Sequence, residues 1–273
     1  MQPQGGPPQK IVLPGVKHVV AVASGKGGVG KSTVASNLAL ALSMLGRRVG
    51  LLDADIYGPS VPIMMGVKEV VDPQTTSFPL ERHGIKLMSM GFLVKPETAM
   101  IWRGPMVHKY LTGMLTQTPW GELDYLVIDL PPGTGDAQLT LTQTAPLTGA
   151  VIVTTPQDVS LIDARKGLEM FRQVNVPVLG IIENMSYFVG EDGKRYEIFR
   201  HGGGKKLANE TGVPFLGEVP IDPRVAECGD GGEPIVRKYP DSPAAKAYLA
   251  LAQVVAAAVG TLGEQAALPG LEL

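Results

Sequence analysis

A single cysteine, Cys228, occurs among 273 residues. One thiol excludes a disulfide framework and any metal centre built from several cysteines of one chain. An excess of one charge is also lacking. The 24 Lys and Arg nearly balance the 26 Asp and Glu, leaving a net charge of -2, which argues against the basic surface of a nucleic-acid binder. Long hydrophobic runs are missing too. The longest apolar stretch near the C-terminus, Tyr248–Val259, falls short of the roughly 20 residues that a bilayer span needs, and its flanks lack the Lys/Arg cluster of a membrane-surface helix. Residues 1–17 have no arginine and no apolar run of the signal-peptide kind, so they read as a flexible lead-in. His18, His83, His108 and His201 show no metal-ligand spacing. These absences together predict a cytoplasmic protein with no nucleic-acid or membrane partner.

What is present is alternation. His18–Ala23, Val49–Asp53, Tyr125–Asp129, Ala150–Thr154, Val178–Ile182 and Phe215–Val219 are short runs rich in Val, Ile and Leu, the pattern of strands buried on both faces. Ser32–Leu45, Pro105–Thr116, Val159–Gln173 and Pro243–Val259 carry helical patterns. Strand and helix in series predict an α/β fold with a mostly parallel central sheet flanked by helices. One domain over residues 18–262 accounts for the pattern, with 263–273 as a C-terminal tail. Ligands of such sheets sit at the carboxyl ends of the strands, which puts the loops after Ala23, Asp53, Asp129 and Glu183 on one rim.

The first of these loops, Gly25-Lys26-Gly27-Gly28-Val29-Gly30-Lys31-Ser32 followed by Thr33, fits G-x-x-x-x-G-K-[ST] between a strand and a helix. Its glycines let backbone N–H groups turn around phosphate oxygens, and the helix N-terminus adds partial positive charge. Lys31 is placed to reach the β- and γ-phosphates and the Ser32 hydroxyl to ligate Mg²⁺, so the expected ligands are ATP and Mg²⁺. Lys26 is a second lysine in the loop. It is either a solvent-exposed lysine or, as in P-loop proteins with K-G-G-x-G-K-[ST], one that acts across a dimer interface.

Asp53 and Asp55 follow the second strand. One carboxylate can hold a Mg²⁺-bound water, and the other can orient or deprotonate the attacking water; alternatively Asp55 caps a turn completed by Gly58 and Pro59. Leu126-Val127-Ile128-Asp129 ends an apolar strand in a carboxylate that can reach Mg²⁺ through water, or can cap a helix. The run Leu130–Asp136 contains two prolines and then glycines, and the Gly133 N–H is the expected sensor of the γ-phosphate. Asn184 carries an amide that matches an adenine edge. Met64, Met65, Met88 and Met90 read as core.

Together these residues resemble the Mrp (ApbC) family of P-loop ATPases, the iron–sulfur cluster carriers related to MinD, ParA and the nitrogenase iron protein. The resemblance rests on the Ala23–Thr33 and Leu52–Ser60 runs, Met88–Phe92, Trp102–Pro105, Asp124–Asp136, Thr155–Asp158 and Glu183–Phe188. It implies a homodimer that binds and slowly hydrolyses ATP and transfers clusters to apoproteins. It also implies that Lys31 and Ser32 bind phosphate and Mg²⁺, that Asp55 assists the water, and that Asn184, Pro220 and Asp222 border the base. One feature departs from the family. Carriers usually place C-x-x-C after Asn-Met-Ser, where this chain has Gly190 and Gly193, and Cys228 gives a dimer two thiolates in place of four. A cysteine-bearing partner is one way out. The rival class is a nucleotide-switched positioning or adaptor protein of the MinD/ParA kind that carries no cluster.

Overall fold

The computed structural model describes residues 11–67, 71, 78–92 and 104–267; Trp102 and Arg103 lie outside that range. β1 (Val16–Ser24) leads into α1 (Lys31–Met44), followed by β2 (Val49–Asp53), α2 (Val61–Met64) and the hairpin β3 (Leu80–Arg82) and β4 (Ile85–Ser89). Next come α3 (Gly104–Thr116), β5 (Leu123–Asp129), α4 (Asp136–Thr144), β6 (Gly149–Thr154), α5 (Asp158–Gln173) and β7 (Val178–Glu183). A small hairpin of β8 (Phe188–Val189) and β9 (Arg195–Tyr196) precedes α6 (Gly203–Thr211), β10 (Phe215–Glu218), α7 (Pro223–Gly231), α8 (Ile235–Lys238) and α9 (Pro243–Ala267).

Eight strands form one sheet in the order β10-β7-β6-β1-β5-β2-β4-β3. Every pairing is parallel except the edge pair β3–β4. The sheet is buried on both faces because its strands alternate between two apolar layers with a period of two residues. Val20, Val22, Leu51, Tyr125 and Val127 join one layer with α1 and α9. Val19, Ala21, Leu52, Leu126 and Ile128 join the other with residues of α3, α5 and α6. The predicted strands are all present. Those missed, β3, β4, β8 and β9, are short, and no long apolar run marks them.

Two boundaries move. β1 begins at Val16, and the Ile11 N–H already donates to Thr144 O at 2.9 Å, so the segment just before the strand is tied down. α9 runs to Ala267, well past Val259. By length and composition its first 21 residues, Pro243–Gly263, are long and apolar enough to cross a membrane, which corrects the expectation drawn from the shorter run. Here the helix lays Ala244, Ala245, Tyr248, Leu251, Ala252, Val255 and Val259 into the core shared with α1. Their spacing of three and four residues is that of one buried helical stripe.

α1 is buried nearly all round, with Leu38 fully enclosed. Leu38→Ala should therefore cost about 2–5 kcal/mol through lost burial and an unfilled cavity. Urea denaturation would read this as a lower midpoint with an unchanged slope.

Candidate functional site

β1 lies in the middle of the sheet, so the loop from Gly25 to Gly30 sits centrally on the rim. Gly25 has no space for a side chain, because a Cβ would stand 2.0 Å from the Asp163 carbonyl carbon in α5. Gly28 and Gly30 both hold φ at 81°, a left-handed conformation that costs other L-residues roughly 1–2 kcal/mol. A Cβ at Gly27 or Gly28 would meet nothing within 4 Å, so the loop tip borders open space. No acidic residue occupies the first turn of α1, and Gly30 offers no side-chain cap. The positive end of the helix is thus left for an anion.

Lys31 points inward and is only 6% exposed. Its Nζ donates to Asp129 Oδ1 at 2.6 Å and lies 3.2 Å from Ser32 Oγ and 3.9 Å from Asp55 Oδ2. Asp129 is fully buried, and its other oxygen, Oδ2, has no hydrogen-bond partner. Asp53 stands directly opposite Asp129 in the β2–β5 register. It accepts from the Ser89 hydroxyl at 2.9 Å and from the Asp55 N–H at 3.1 Å. Ser89, which the sequence reading had passed over between two core methionines, occupies the register position opposite Asp53 on β4.

Three carboxylates therefore crowd one ammonium out of water. Burial, and then the charge of Asp129, push the Asp53 carboxyl up to about 8. Burial also raises Asp129 and Asp55, with Lys31 opposing in both. A site with this imbalance and an orphaned carboxylate oxygen fits a divalent cation, with the Ser32 hydroxyl close by. β2 ends at Asp53, and Asp55 lies in the turn beyond it, where the backbone of Gly58 and Tyr57 also bonds its carboxylate. Asp55 thus caps a turn and also faces Lys31. Lys26 is half-buried at the rim and pairs with no acidic group among the described residues.

Beside the loop a cleft of about 430 Å³ brings Gly30 and Thr33 together with Asn184, Pro220 and Asp222. Two of the expected base contacts are committed elsewhere. The Asn184 Nδ2 donates to Val29 O at 2.9 Å, and this close approach leaves no room for a Cβ at Gly30. The Asp222 carboxylate caps α7 and binds Arg224 through Nε at 2.9 Å and Nη2 at 2.7 Å. Asp222 therefore shapes the wall while its charge stays with Arg224. The Gly133 N–H, the expected phosphate sensor, donates to Ser24 O at 3.0 Å. In this conformation it ties the segment after β5 to the end of β1.

The region of the missing C-x-x-C is a tight β-hairpin. The Gly190 N–H donates to Lys194 O, the Gly193 N–H donates to Gly190 O, and Gly193 takes φ of 73°. A Cβ at Gly190 would come within 2.8 Å of the Tyr196 ring. Cys228 is 1% exposed in α7, and burial pushes its thiol up. The chain thus offers one thiol, enclosed in α7, and none at positions 190 and 193.

Comparison with known proteins agrees with this geometry. Residues 15–256 match the ParA family described as "NUBPL iron-transfer P-loop NTPase". The iron-sulfur cluster carrier protein of Aquifex aeolicus (strain VF5) is 58% identical over 252 residues, covering 90% of this chain and 69% of the relative. The nucleotide-binding protein from Archaeoglobus fulgidus, solved in complex with ADP, aligns with a TM-score of 0.68 at 42% identity over 80% of this chain and 87% of that one. The cell division ATPase MinD of Pyrococcus furiosus shares the fold, with a TM-score of 0.68 at 22% identity over 88% of this chain and 98% of its own. The chain belongs to the ParA family of NUBPL-type iron-transfer P-loop NTPases.

Proposed function

We propose that this protein is a slow, cytoplasmic, Mg²⁺-dependent ATPase. Its nucleotide switch serves iron–sulfur cluster transfer, and the cluster's thiolates come from a cysteine-bearing partner or recipient apoprotein. The observation that carries the nucleotide half is the buried Lys31 ammonium, held 2.6 Å from Asp129 beneath a loop whose tip borders open space. The transfer half is supported by relatives named as iron–sulfur cluster carriers.

In this reading Gly25–Thr33 wrap the phosphates and Lys31 exchanges one buried anion for another as it meets the β- and γ-phosphate oxygens. Ser32, Asp53 and Asp129 hold Mg²⁺, which neutralises charge on the phosphates. Asp55 orients the attacking water. Release of the Gly133 N–H from Ser24 frees it for the γ-phosphate and moves the segment that follows. The base lies in the cleft walled by Asn184, Pro220 and Asp222. The working unit is a homodimer in which Lys26 reaches the partner's nucleotide, a role that suits a lysine with no acidic partner among the described residues.

Lys31→Ala should weaken ATP binding about 10- to 100-fold, the worth of a charge-assisted contact. Asp55→Asn should keep ATP affinity and lower turnover about 100-fold. Calorimetry and phosphate release separate the two; unchanged affinity in Lys31→Ala would end the phosphate-loop reading.

Anaerobic reconstitution with iron and sulfide should leave the isolated chain without the visible absorbance of a bound cluster, and that absorbance should appear only when the cysteine-bearing recipient is present. A stable cluster on the chain alone would contradict the division of labour.

The raised Asp53 carboxyl has a consequence for stability without nucleotide. The folded state keeps its proton up to about pH 8, while the unfolded chain loses it near 4. The folded state thus binds more protons in this window, and stability falls as pH rises from about 4 to 8. Asp53→Asn should flatten that fall, so that its Tm relative to the native chain increases from pH 5 to pH 8.

A further inference from the structure

On the same rim, but on the far side of the β-sheet from the Lys31 carboxylates, a second group of ionisable side chains converges. Glu183 ends β7 and Glu218 ends β10, and the two are register partners on adjacent parallel strands. Like charges directly opposite each other in a sheet are destabilising unless something cationic lies between them. His201, in the turn before α6, reaches over both. Its Nε2 stands 3.0 Å from Glu218 Oε1, and one ligand atom from each of Glu183, His201 and Glu218 lies within 4.8 Å of the other two. Donor atoms bound at about 2.1 Å to one tetrahedral ion are about 3.4 Å apart, so small rotations bring these three onto a common centre.

The surroundings match what metal-ligating residues need behind them. A ligating imidazole is usually oriented by a carboxylate at its other nitrogen, and ligating carboxylates are themselves hydrogen-bonded. The His201 Nδ1 faces Glu197 Oε1 at 3.8 Å, and the Tyr187 ring packs edge-on against the imidazole. Glu183, fully buried, is fixed by the Ser186 hydroxyl and by the Gly202 and Gly204 N–H groups. The His201 and Glu218 side chains keep 32% and 23% of their exposure, so water or an incoming donor can complete the coordination.

We propose that Glu183, His201 and Glu218 form a binding site for one divalent transition-metal ion. One imidazole and two carboxylates select Zn²⁺, Fe²⁺ or Co²⁺ over Mg²⁺, whose ligands are oxygens and water. The site contains no sulfur, and its three residues are not those that hold phosphate or Mg²⁺ in the ATPase reading.

The test is titration of the tag-free full chain with Co²⁺ in the absence of nucleotide, followed by displacement with Zn²⁺, on the native protein and on His201→Ala and Glu218→Gln. The expected result is one Co²⁺ per chain with a visible spectrum of nitrogen and oxygen donors, displaced by Zn²⁺ and unaffected by millimolar Mg²⁺. Each variant should bind at least about tenfold more weakly, the loss produced by removing one charged or imidazole ligand. Thermal melting identifies any variant that fails to fold, and the other then carries the test. Equal binding by the native chain and the folded variants would overturn the proposal, as would no binding at all. A sulfur-to-cobalt charge-transfer band would also overturn it, by placing the ion on Cys228.

Discussion

One buried ammonium facing three carboxylates sets the terms for the rest of this molecule. Lys31 and Asp129 form an ion pair at 2.6 Å with almost no solvent access, while Asp55 adds a second carboxylate 3.9 Å from the ammonium and Asp53 is crowded enough to retain its proton. Burying ions is expensive, and a pair in the interior repays the cost only when its remaining lone pairs and protons are satisfied. Here that condition is half met. Ser89 and the Asp55 N–H serve Asp53, but Asp129 keeps an oxygen with no partner. The remaining deficit is one of positive charge, which a divalent cation would offset. The ion pair therefore acts as a placeholder, keeping Lys31 poised under the loop at the cost of a strained local charge balance.

The fold exists to hold that balance in place. Parallel strands with both faces buried put β2, β5 and β4 in register, so Asp53 meets Asp129 on one side and Ser89 on the other. Neither contact is local in sequence. The loop is fixed as tightly from outside: the backbone of α5 leaves Gly25 no side chain, and Asn184 on the β7 loop fastens to Val29 O. A helix from one layer and a strand end from the opposite half of the sheet thus converge on the same loop.

The sequence was most readable where a motif carries its own geometry. The phosphate loop, the strand ending in Asp129 and the buried strands follow from glycine spacing and from runs of Val, Ile and Leu, and the structure has them where expected. It was least readable where position depends on partners far along the chain. Ser89 lies between Met88 and Met90 with no signal of its own for a polar contact, and only the β2–β4 register brings it to Asp53. Asn184 and Asp222 were recognisable as bordering the cleft, but Val29 and Arg224, which occupy their polar atoms, lie on other elements or in the next turn. α9 runs past Val259 because the helix continues through Gly260, Thr261, Gly263, Glu264 and Gln265, which interrupt the apolar pattern without ending it. His201, Glu183 and Glu218 have no common spacing, since a loop crossing and a strand register bring them together.

The hairpin at 188–196 explains why the lone cysteine should be read as a division of roles. Gly193 needs a left-handed φ of 73°, and a Cβ at Gly190 would press on Tyr196, so cysteines at these two positions would work against the turn itself. Arg195 stacks over Tyr187 at 3.8 Å, and Tyr187 packs against His201, which continues the same local order into the neighbouring carboxylates. The segment is thus a closed turn braced by its neighbours, with Phe188 also bridging to Ile221. Cys228 cannot take over, because reaching it would require opening α7 out of the core it shares with α1 and α9. The chain thus sets Lys31 and its carboxylates in order on the rim, while positions 190 and 193 carry no thiol and the one cysteine is enclosed in α7.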